Sequence, residues 1–351
     1  MARSVQLTHI RYRYESAMNT VEVVRGDLVE SQHAVHVAVS DADGRLVASL
    51  GDPTSMTYYR SAAKPMQALP LVEEGVVDGI GLSMGELALC CASHEGEAMH
   101  VDGARSILRK ARADEGDLRC GAQVPFSIAA ARALRDTGLE GGKIHNNCSG
   151  KHAGMIALAS QLGSSPSDYH LPEHPVQRRM LDEIVRWSGV PEGGIHTGVD
   201  GCGVVCFAVP LGAMARSFAA FVSASDRGEA ASTIVEAMTS HPIMVGGTGR
   251  TCTDVMEAIG DRVFVKLGAE GVYAGGLRGR GLGFAIKVMD GGRRAVEVAL
   301  IRVLDELGVL TGVERGMLRP HGNPDILNTR GEIVGEVRAK FTLYTAAEAE
   351  A

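Results

Sequence analysis

The hydrophobic and polar positions of the chain alternate at its beginning and follow helical spacing through its middle. Residues 21–29 and 34–50 carry β-branched side chains in partial alternation, and a turn at residues 41–44 predicts that they form paired strands. From about residue 61 to about residue 260 the apolar spacing is mostly helical. The clearest helical stretches are residues 173–187, 212–223, 230–239 and 251–259.

Strand patterns return near the end of the chain. The glycine-separated segments 262–267, 272–277 and 282–288 predict three further strands. A predicted helix at residues 294–307 follows them, and one more strand is expected near residues 333–343.

Strands at both ends with helices between them predict an α+β fold built on a mixed antiparallel sheet. The sheet is expected to use about residues 21–60 and 262–310, and the helical part about residues 61–260. No linker, internal repeat or low-complexity segment divides the sequence, so we expect a single domain over residues 1–351.

Composition excludes several classes of protein. A net charge of -7 and a pI near 6.0, without a basic cluster, argue against nucleic-acid binding. The longest apolar stretch, residues 203–215, is interrupted by Pro210 and Gly212, so no membrane span is expected. The first nine residues lack the apolar core of a signal peptide, and an odd number of cysteines (seven) indicates no disulfide framework. We therefore expect a cytoplasmic protein.

Ser61 and Lys64 form the most informative local pattern. They are three residues apart at the start of a predicted helix, where positions i and i+3 share a face. A neutral lysine can take the hydroxyl proton of such a serine, and the Ser-x-x-Lys pattern is typical of serine acyl-transfer enzymes of the β-lactamase type. The alternative is a solvated lysine on a helix that the serine caps, worth about 1 kcal/mol.

Two other segments carry possible catalytic groups. Residues 91–97 place Ser93, a histidine and two carboxylates around a glycine, although a helix end with solvated charges has the same composition. Lys266 lies on a predicted strand that ends in a tight turn, and a second cation near Lys64 would lower the pKa of both amines. A lysine is also common on an edge strand, where it prevents aggregation.

Cysteines bounded by glycines suggest a metal site. Cys148 and Cys202 could supply thiolates to zinc, with Lys151, His152 or Asp200 completing the set. Two other interpretations stay open: the cysteines are small buried apolar residues, or Cys148 and His152 form a nucleophile pair.

Two glycine-rich loops are weaker signals. Residues 246–251 open a predicted helix and lack the lysine and spacing of a phosphate-binding loop, so they indicate a carboxylate site or a plain helix start. Residues 275–283 lead into a strand and therefore predict a hairpin rather than a dinucleotide site.

Taken in order, five motifs resemble the rhizobial-type, or class-3, L-asparaginases. The matching segments are residues 60–65, 93–94, 147–152, 198–203 and 266–271, within a resemblance that runs from about residue 21 to 307. The resemblance implies a fold akin to serine β-lactamases and glutaminases, a homodimer, and hydrolysis of L-asparagine to L-aspartate and ammonia. It implies two Ser–Lys pairs, Ser61 with Lys64 and Ser93 with Lys266. It also implies a zinc ion held by Cys148, Lys151 and Cys202.

The substrate carries an α-ammonium and an α-carboxylate, so its site needs groups of both charges. We expect Asp200 to bind the ammonium and Arg60 the carboxylate, because a guanidinium matches a carboxylate with two hydrogen bonds. His152 and Glu270 complete the predicted substrate-binding set. Ser61 or Ser93 would attack the side-chain amide, with backbone N–H groups of Ser61 and of the Lys266 strand holding the oxyanion.

Two other classes of function remain open from the sequence. A β-lactam-type serine acyl-transferase would share the Ser-x-x-Lys pattern, but no clear Ser-x-Asn element accompanies it and Ser93-His94 stands in a comparable place. A non-catalytic protein that binds zinc or an amino acid would share the scaffold and release no ammonia.

Overall fold

The computed structural model describes residues 19–345. The strands are β1 Thr20–Arg25, β2 Leu28–Asp41, β3 Leu46–Leu50, β4 Met56–Tyr58, β5 His196–Val199, β6 Val205–Pro210, β7 Val263–Gly268, β8 Val272–Leu277, β9 Leu282–Val288, β10 Asp325–Leu327, β11 Ile333–Lys340 and β12 Tyr344–Thr345. The helices are α1 Lys64–Glu73, α2 Val76–Gly79, α3 Met84–Cys90, α4 Ala98–Lys110, α5 Ile128–Asp136, α6 Ser149–Gln161, α7 Pro175–Ser188, α8 Leu211–Asp226, α9 Ala230–Ser240, α10 Pro242–Val245, α11 Thr251–Ile259, α12 Arg293–Glu306, α13 Gly312–Met317 and α14 Arg319–Gly322. The expected absence of a signal peptide concerns the first nine residues, which lie outside the described part.

The main sheet joins the two ends of the chain. Its strand order is β10-β11-β1-β2-β9-β8-β7, with β3 between β2 and β12, and its neighbouring strands run antiparallel. The predicted α+β fold, with terminal strands paired around a helical middle, is thereby confirmed. The strand bounds change at the first hairpin: the chain turns at residues 26–27, where Gly26 has φ +55°, so β2 begins at Leu28.

The sheet extends further along the chain than the predicted limit of residue 310. β10, β11 and β12 all lie beyond that limit, and every residue of β1 pairs with β11. The sequence did not predict three further strands, one just before the helical middle and two within it. β4, β6 and β5 form a separate small antiparallel sheet, which holds the segment before Arg60 against the segment before Asp200.

Helices cover the sheet and complete the core. Helix α8 packs against β2, β8 and β9, while α12 packs against β9 and β11. One continuous set of buried apolar side chains extends from Val21 to Phe341. Within residues 19–345, none of the helices combines the length and apolar character that crossing a membrane requires.

Gly283 lets α8 lie directly on strand β9. A Cβ atom at this position would come within 2.2 Å of Ala219 N and 2.3 Å of Ala215 O, both backbone atoms of α8. We expect Gly283→Ala to destabilise the protein by about 3 kcal/mol, because the helix must move off the sheet. Thermal and urea unfolding would measure the change. The control is Gly316→Ala in α13, where the added Cβ meets open space and helix propensity favours alanine. Equal unfolding of the two variants would contradict this account of the contact.

Candidate active site

Ser93 lies between two buried lysine side chains. It follows α3 in the loop at residues 91–97, and its Oγ is 2.9 Å from Lys64 Nζ and 3.0 Å from Lys266 Nζ. Lys64 projects from the first turn of α1, and Lys266 from β7, the last strand of the sheet. Both lysines are completely buried, so neither is the solvated surface lysine of the alternative interpretations. The predicted Ser93–Lys266 contact is present.

Lys266 has the charge behaviour expected of a base. Burial lowers the pKa of Lys266 to about 7, and Lys64 and Arg250 contribute to the lowering, while Cys252 opposes it. A large fraction of the Lys266 amines is therefore neutral at neutral pH. A neutral amine can accept the Ser93 hydroxyl proton, which a surface lysine with its pKa near 10.4 cannot do at that pH.

The predicted Ser61–Lys64 hydrogen bond is absent from the described residues. Ser61 belongs to a 3₁₀ turn, Arg60–Ala63, that precedes α1. Lys64 instead donates to Ala92 O, Ser93 Oγ and Cys148 Sγ, the last at 3.2 Å. Ser61 is therefore a neighbour of the Lys64–Ser93–Lys266 cluster and not a hydrogen-bonded member of it.

A cavity of about 240 Å³ opens above this cluster. Ser61 and Ser93 both line it, so the two candidate nucleophiles face one space. The charged residues of its lining are Glu95, Arg250, Glu270 and Arg293. Carboxylates and guanidinium groups together suit a small ligand that carries both charges. Of the predicted substrate-binding set, Glu270 lies at this cavity.

Backbone geometry is strained on two sides of the cavity. Arg60 has φ +49° and Glu270 φ +60°, in the left-handed region that non-glycine residues rarely adopt. Gly268 lets the two segments approach, because a Cβ there would lie 2.6 Å from Tyr59 O. The turn that carries Ser61 is thus pressed against the end of β7.

Two backbone N–H groups at this junction are free to bind a ligand. Ser61 and Ala269 both line the cavity, and within residues 19–345 neither N–H donates to a protein acceptor. The N–H of Ser93, by contrast, donates to Val245 O at 3.0 Å. The N–H groups of Ser61 and Ala269 are therefore available as donors beside Ser61.

The three predicted metal ligands lie together. Lys151 Nζ is 3.3 Å from Cys202 Sγ, and the thiols of Cys148 and Cys202 are hydrogen-bonded. That hydrogen bond is the main cause that lowers the pKa of Cys202 to about 6, and Lys151 lowers it further against the effect of burial. Burial would lower the pKa of Lys151, but Cys202 and Cys148 raise it above its usual range. Cys148 also contacts Lys64, so this thiol cluster adjoins the lysine cluster.

Arg60 and Asp200 bind each other rather than lining the cavity. Arg60 Nε donates to Asp200 Oδ1 at 2.7 Å, and Gly201 N donates to the same oxygen. Burial alone would raise the pKa of Asp200, but Lys151 and Arg60 lower it to about 2. The sequence-based expectation that these two side chains face a substrate therefore lacks the support of the cavity geometry.

His152 is also enclosed. It is completely buried, its Nδ1 is 2.6 Å from Tyr169 Oη, and burial with Lys151 lowers its pKa to about 3. Its Nε2 has no hydrogen-bond partner among the described residues. His152 is thus a neutral imidazole beside the thiol cluster, outside the lining of the cavity.

Arg293 of the cavity wall was not predicted, and three further polar residues of that wall were not predicted as site residues: Glu95, Asn147 and Arg250. Each belongs to a segment that had been singled out by composition, because Glu95 follows Ser93, Asn147 precedes Cys148 and Arg250 closes the glycine-rich loop at residues 246–251. The signal for Glu95 was the group of polar side chains at residues 91–97, which follows an apolar predicted helix. The segment at residues 91–97 is not a solvated helix end, since Glu95 is buried and His94 completely so.

Comparisons with known proteins identify the family of the chain. Solved structures of a protein described as Mglu are similar to the chain: its native form in 4.3 M NaCl (17% identity, TM-score 0.38, 79% of this chain and 61% of that chain) and its L-glutamate binding form (16% identity, TM-score 0.38, 84% and 64%). The chain thus spans less than two thirds of the length of those proteins. No curated protein matches the chain. The family model described as L-asparaginase II matches residues 21–339. The chain therefore belongs to the L-asparaginase II family.

Proposed function

We propose that this protein hydrolyses the side-chain amide of L-asparagine to L-aspartate and ammonia through a serine acyl-enzyme. The observation that supports the proposal most is the Ser93 hydroxyl held between the Lys64 and Lys266 amines beside a cavity that Ser61 lines. Family membership supports an amide substrate. The mixed charge of the cavity lining favours an amino acid over an uncharged amide.

Ser61 is the proposed nucleophile and Ser93 the proton relay. A nucleophile needs an oxyanion site beside it, and the free N–H groups of Ser61 and Ala269 supply one, whereas the N–H of Ser93 already donates to Val245 O. The Ser93 hydroxyl, bonded to both amines, suits proton transfer. Ser61 makes no hydrogen bond to this relay among the described residues, so the proposal requires its hydroxyl to contact Lys64, three residues later, when the substrate is bound.

The reaction then follows from these positions. Ser61 Oγ forms a bond to the amide carbon while its proton enters the Lys64–Ser93–Lys266 network, where neutral Lys266 is the base. The oxyanion is held by the N–H groups of Ser61 and Ala269. When the carbon–nitrogen bond breaks, the same network returns a proton to the leaving ammonia. Water, deprotonated by the network, then hydrolyses the acyl-serine and releases L-aspartate.

A zinc ion is part of the proposal, held by Cys148, Lys151 and Cys202. The side chains fit: two thiols and an amine converge, and Cys202 ionises readily. Within residues 19–345 no three His, Cys, Asp or Glu side chains form a metal-binding group, so Lys151 is needed as the third ligand. When bound, zinc would supply a fixed positive charge that orders Asp200 and His152. A cytoplasmic homodimer completes the proposal, supported by the family resemblance and by the absence of disulfides among the described cysteines.

Removing a thiol should remove the metal. We expect elemental analysis of protein purified without chelators to find about one zinc per chain, and Cys202→Ser to lose it. The control is Cys206→Ser, which changes a buried cysteine on strand β6 that makes no hydrogen bond to Lys151 among the described residues. Zinc-free protein with full activity and an unchanged melting temperature would show that Cys148 and Cys202 are ordinary core residues.

The substrate is tested by ammonia release from L-asparagine and L-glutamine measured in parallel, with a chromogenic β-lactam as the third compound. We expect release from L-asparagine and no β-lactam hydrolysis. Faster turnover of the β-lactam, or binding of L-asparagine without release of ammonia, would contradict the proposal.

A further inference from the structure

Arg250 and Glu95 form a buried ion pair in the wall of the cavity. Arg250 Nη1 lies 2.9 Å from Glu95 Oε1, and only 14% and 11% of the two side chains are exposed. Glu95 lies two residues after the proton relay Ser93, and Arg250 immediately precedes α11. Both charges are therefore fixed within a few residues of the reacting groups.

The pair leaves hydrogen-bonding capacity unused. Although the two charged atoms are close, Glu95 Oε1 has no aligned hydrogen bond among the described residues. A guanidinium carries five N–H donors, and the contact with Glu95 is the one ion pair that the structure gives Arg250. A buried carboxylate and a buried guanidinium that leave hydrogen-bonding groups unpaired are stabilised when a ligand with the complementary charges binds to those groups.

The glycine-rich loop at residues 246–250 is shaped around Glu95. Gly247 has φ +116°, and a Cβ there would lie 2.7 Å from Glu95 Cγ, so the close approach requires glycine. Thr248 N and Oγ1 hold the loop in place by donating to Glu97, at 3.2 and 3.1 Å. This loop is the one for which the sequence left open a carboxylate site.

The second buried pair near the site is built differently. Arg60 makes an aligned 2.7 Å hydrogen bond to Asp200, whose two oxygens also accept from Gly201 N and Cys202 Sγ. Neither Arg60 nor Asp200 lines the cavity. Of the two pairs, Arg250–Glu95 is therefore the one able to receive a ligand.

We propose that Arg250 and Glu95 bind the zwitterionic head group of a free α-amino acid, Arg250 taking the α-carboxylate and Glu95 the α-ammonium. The ammonium and the carboxylate of the head group are attached to the same carbon atom. Their short separation matches that of the Arg250 and Glu95 charges, which are in contact. The inference rests on the proposed function for the identity of the reacting amide, which this arrangement directs toward Ser61. It predicts that amides lacking either α-substituent bind poorly.

Calorimetric titration with L-aspartate tests the assignment without relying on turnover. We expect Arg250→Gln to weaken binding about 100-fold and Glu95→Gln about 10-fold, since each loses a charge-assisted contact. The control is Arg105→Gln, which removes the arginine of an exposed 2.7 Å pair with Glu115 on α4 and should leave the Kd unchanged. Arg60→Gln tests the competing assignment and should change the Kd less than Arg250→Gln does.

Truncated ligands separate recognition from a structural role. Succinamic acid lacks the ammonium, and 3-aminopropanamide lacks the carboxylate. The affinity of each ligand is measured by competition with L-aspartate. We expect Arg250→Gln to abolish the preference for L-asparagine over 3-aminopropanamide. We expect Glu95→Gln to abolish the preference for L-asparagine over succinamic acid. A structural defect would weaken all ligands equally.

The outcomes distinguish this inference from the proposed function. If the ligand preferences change as stated but the protein releases no ammonia, the head-group site is supported and the hydrolase is rejected. Normal ammonia release with an unchanged Kd in Arg250→Gln would overturn the head-group site and leave the hydrolase standing. Loss of binding in Arg60→Gln alone, or no binding of any α-amino acid, would also overturn it.

Discussion

Ser61→Ala is expected to lower kcat/KM for L-asparagine about a thousandfold or more while leaving the fold intact. The loss is expected to be large because Ser61 is the proposed nucleophile, lines the cavity, and has a backbone N–H without an acceptor among residues 19–345. Stability should change little, because Ser61 makes no side-chain cap to the helix that follows, unlike the capping serine expected from the sequence. Steady-state ammonia release and thermal unfolding measure the two effects.

Ser83→Ala is the matched control for Ser61→Ala. Ser83 is a true N-cap of α3 and forms a capping box with Glu86, so its loss should cost about 1 kcal/mol of stability. Its activity should stay near that of the wild type. Ser93→Ala is the companion variant: loss of the relay should slow turnover about a hundredfold without moving the site of acylation. Near-normal ammonia release from Ser61→Ala would remove it as the nucleophile.

Lys266→Arg and Lys266→Met are both expected to lower kcat/KM about a thousandfold. The neutral form of Lys266 is the proposed base, and burial lowers its pKa to about 7. Arginine remains charged in proteins, and methionine has no basic atom, so neither can accept the proton of Ser93. Methionine matches the length of the buried chain, and this variant keeps the test valid if arginine prevents folding. Lys143→Met, on the exposed 3₁₀ turn before α6, is the control.

The pH profile follows from the same lowered pKa. Below about pH 7 Lys266 is protonated and cannot act as a base, so wild-type kcat/KM should rise tenfold per pH unit and level off above its pKa. Neither Lys266 variant should show this titration. An arginine variant within tenfold of the wild type, or a rate independent of pH from about 5 to 9, would refute the base assignment. The sequence predicted that two neighbouring lysines would have a lowered pKa, and burial lowers the pKa of Lys266 to about 7.

Several elements followed from local pattern alone. Thr251–Ile259, Val272–Leu277 and Leu282–Val288 have their predicted ends, because glycines bound each of them and the apolar spacing within each is regular. Strands β4 and β5 are too short to show a period, and β6 lies in a continuous apolar run that fits a strand or a helix equally. Their pairing depends on tertiary contacts that no local window contains.

In the site, too, the sequence predicted individual residues better than the contacts between residues that are distant along the chain. The resemblance implied the pair Ser93–Lys266, which is present, but the contact of Lys64 with Ser93 was not predicted, because the two residues come from separate segments of the chain. Closeness in sequence favoured Ser61 as the partner of Lys64. The fold instead offers Lys64 three acceptors, on Ala92, Ser93 and Cys148, which outcompete a single hydroxyl on the preceding turn. The sequence likewise predicted that Arg60 and Asp200 bind the opposite charges of a substrate. In the fold the two side chains form a hydrogen-bonded ion pair with each other.

The most direct test of the central claim is to identify the side chain that attacks the amide carbon. A diazoketone analogue of L-asparagine presents an electrophilic carbonyl where the amide carbon would lie, and peptide mass spectrometry locates the label. The account predicts one label per chain, on Ser61, with inactivation that L-aspartate slows. A label on Ser93 or on a cysteine would contradict it, as would inactivation of Ser61→Ala at the wild-type rate.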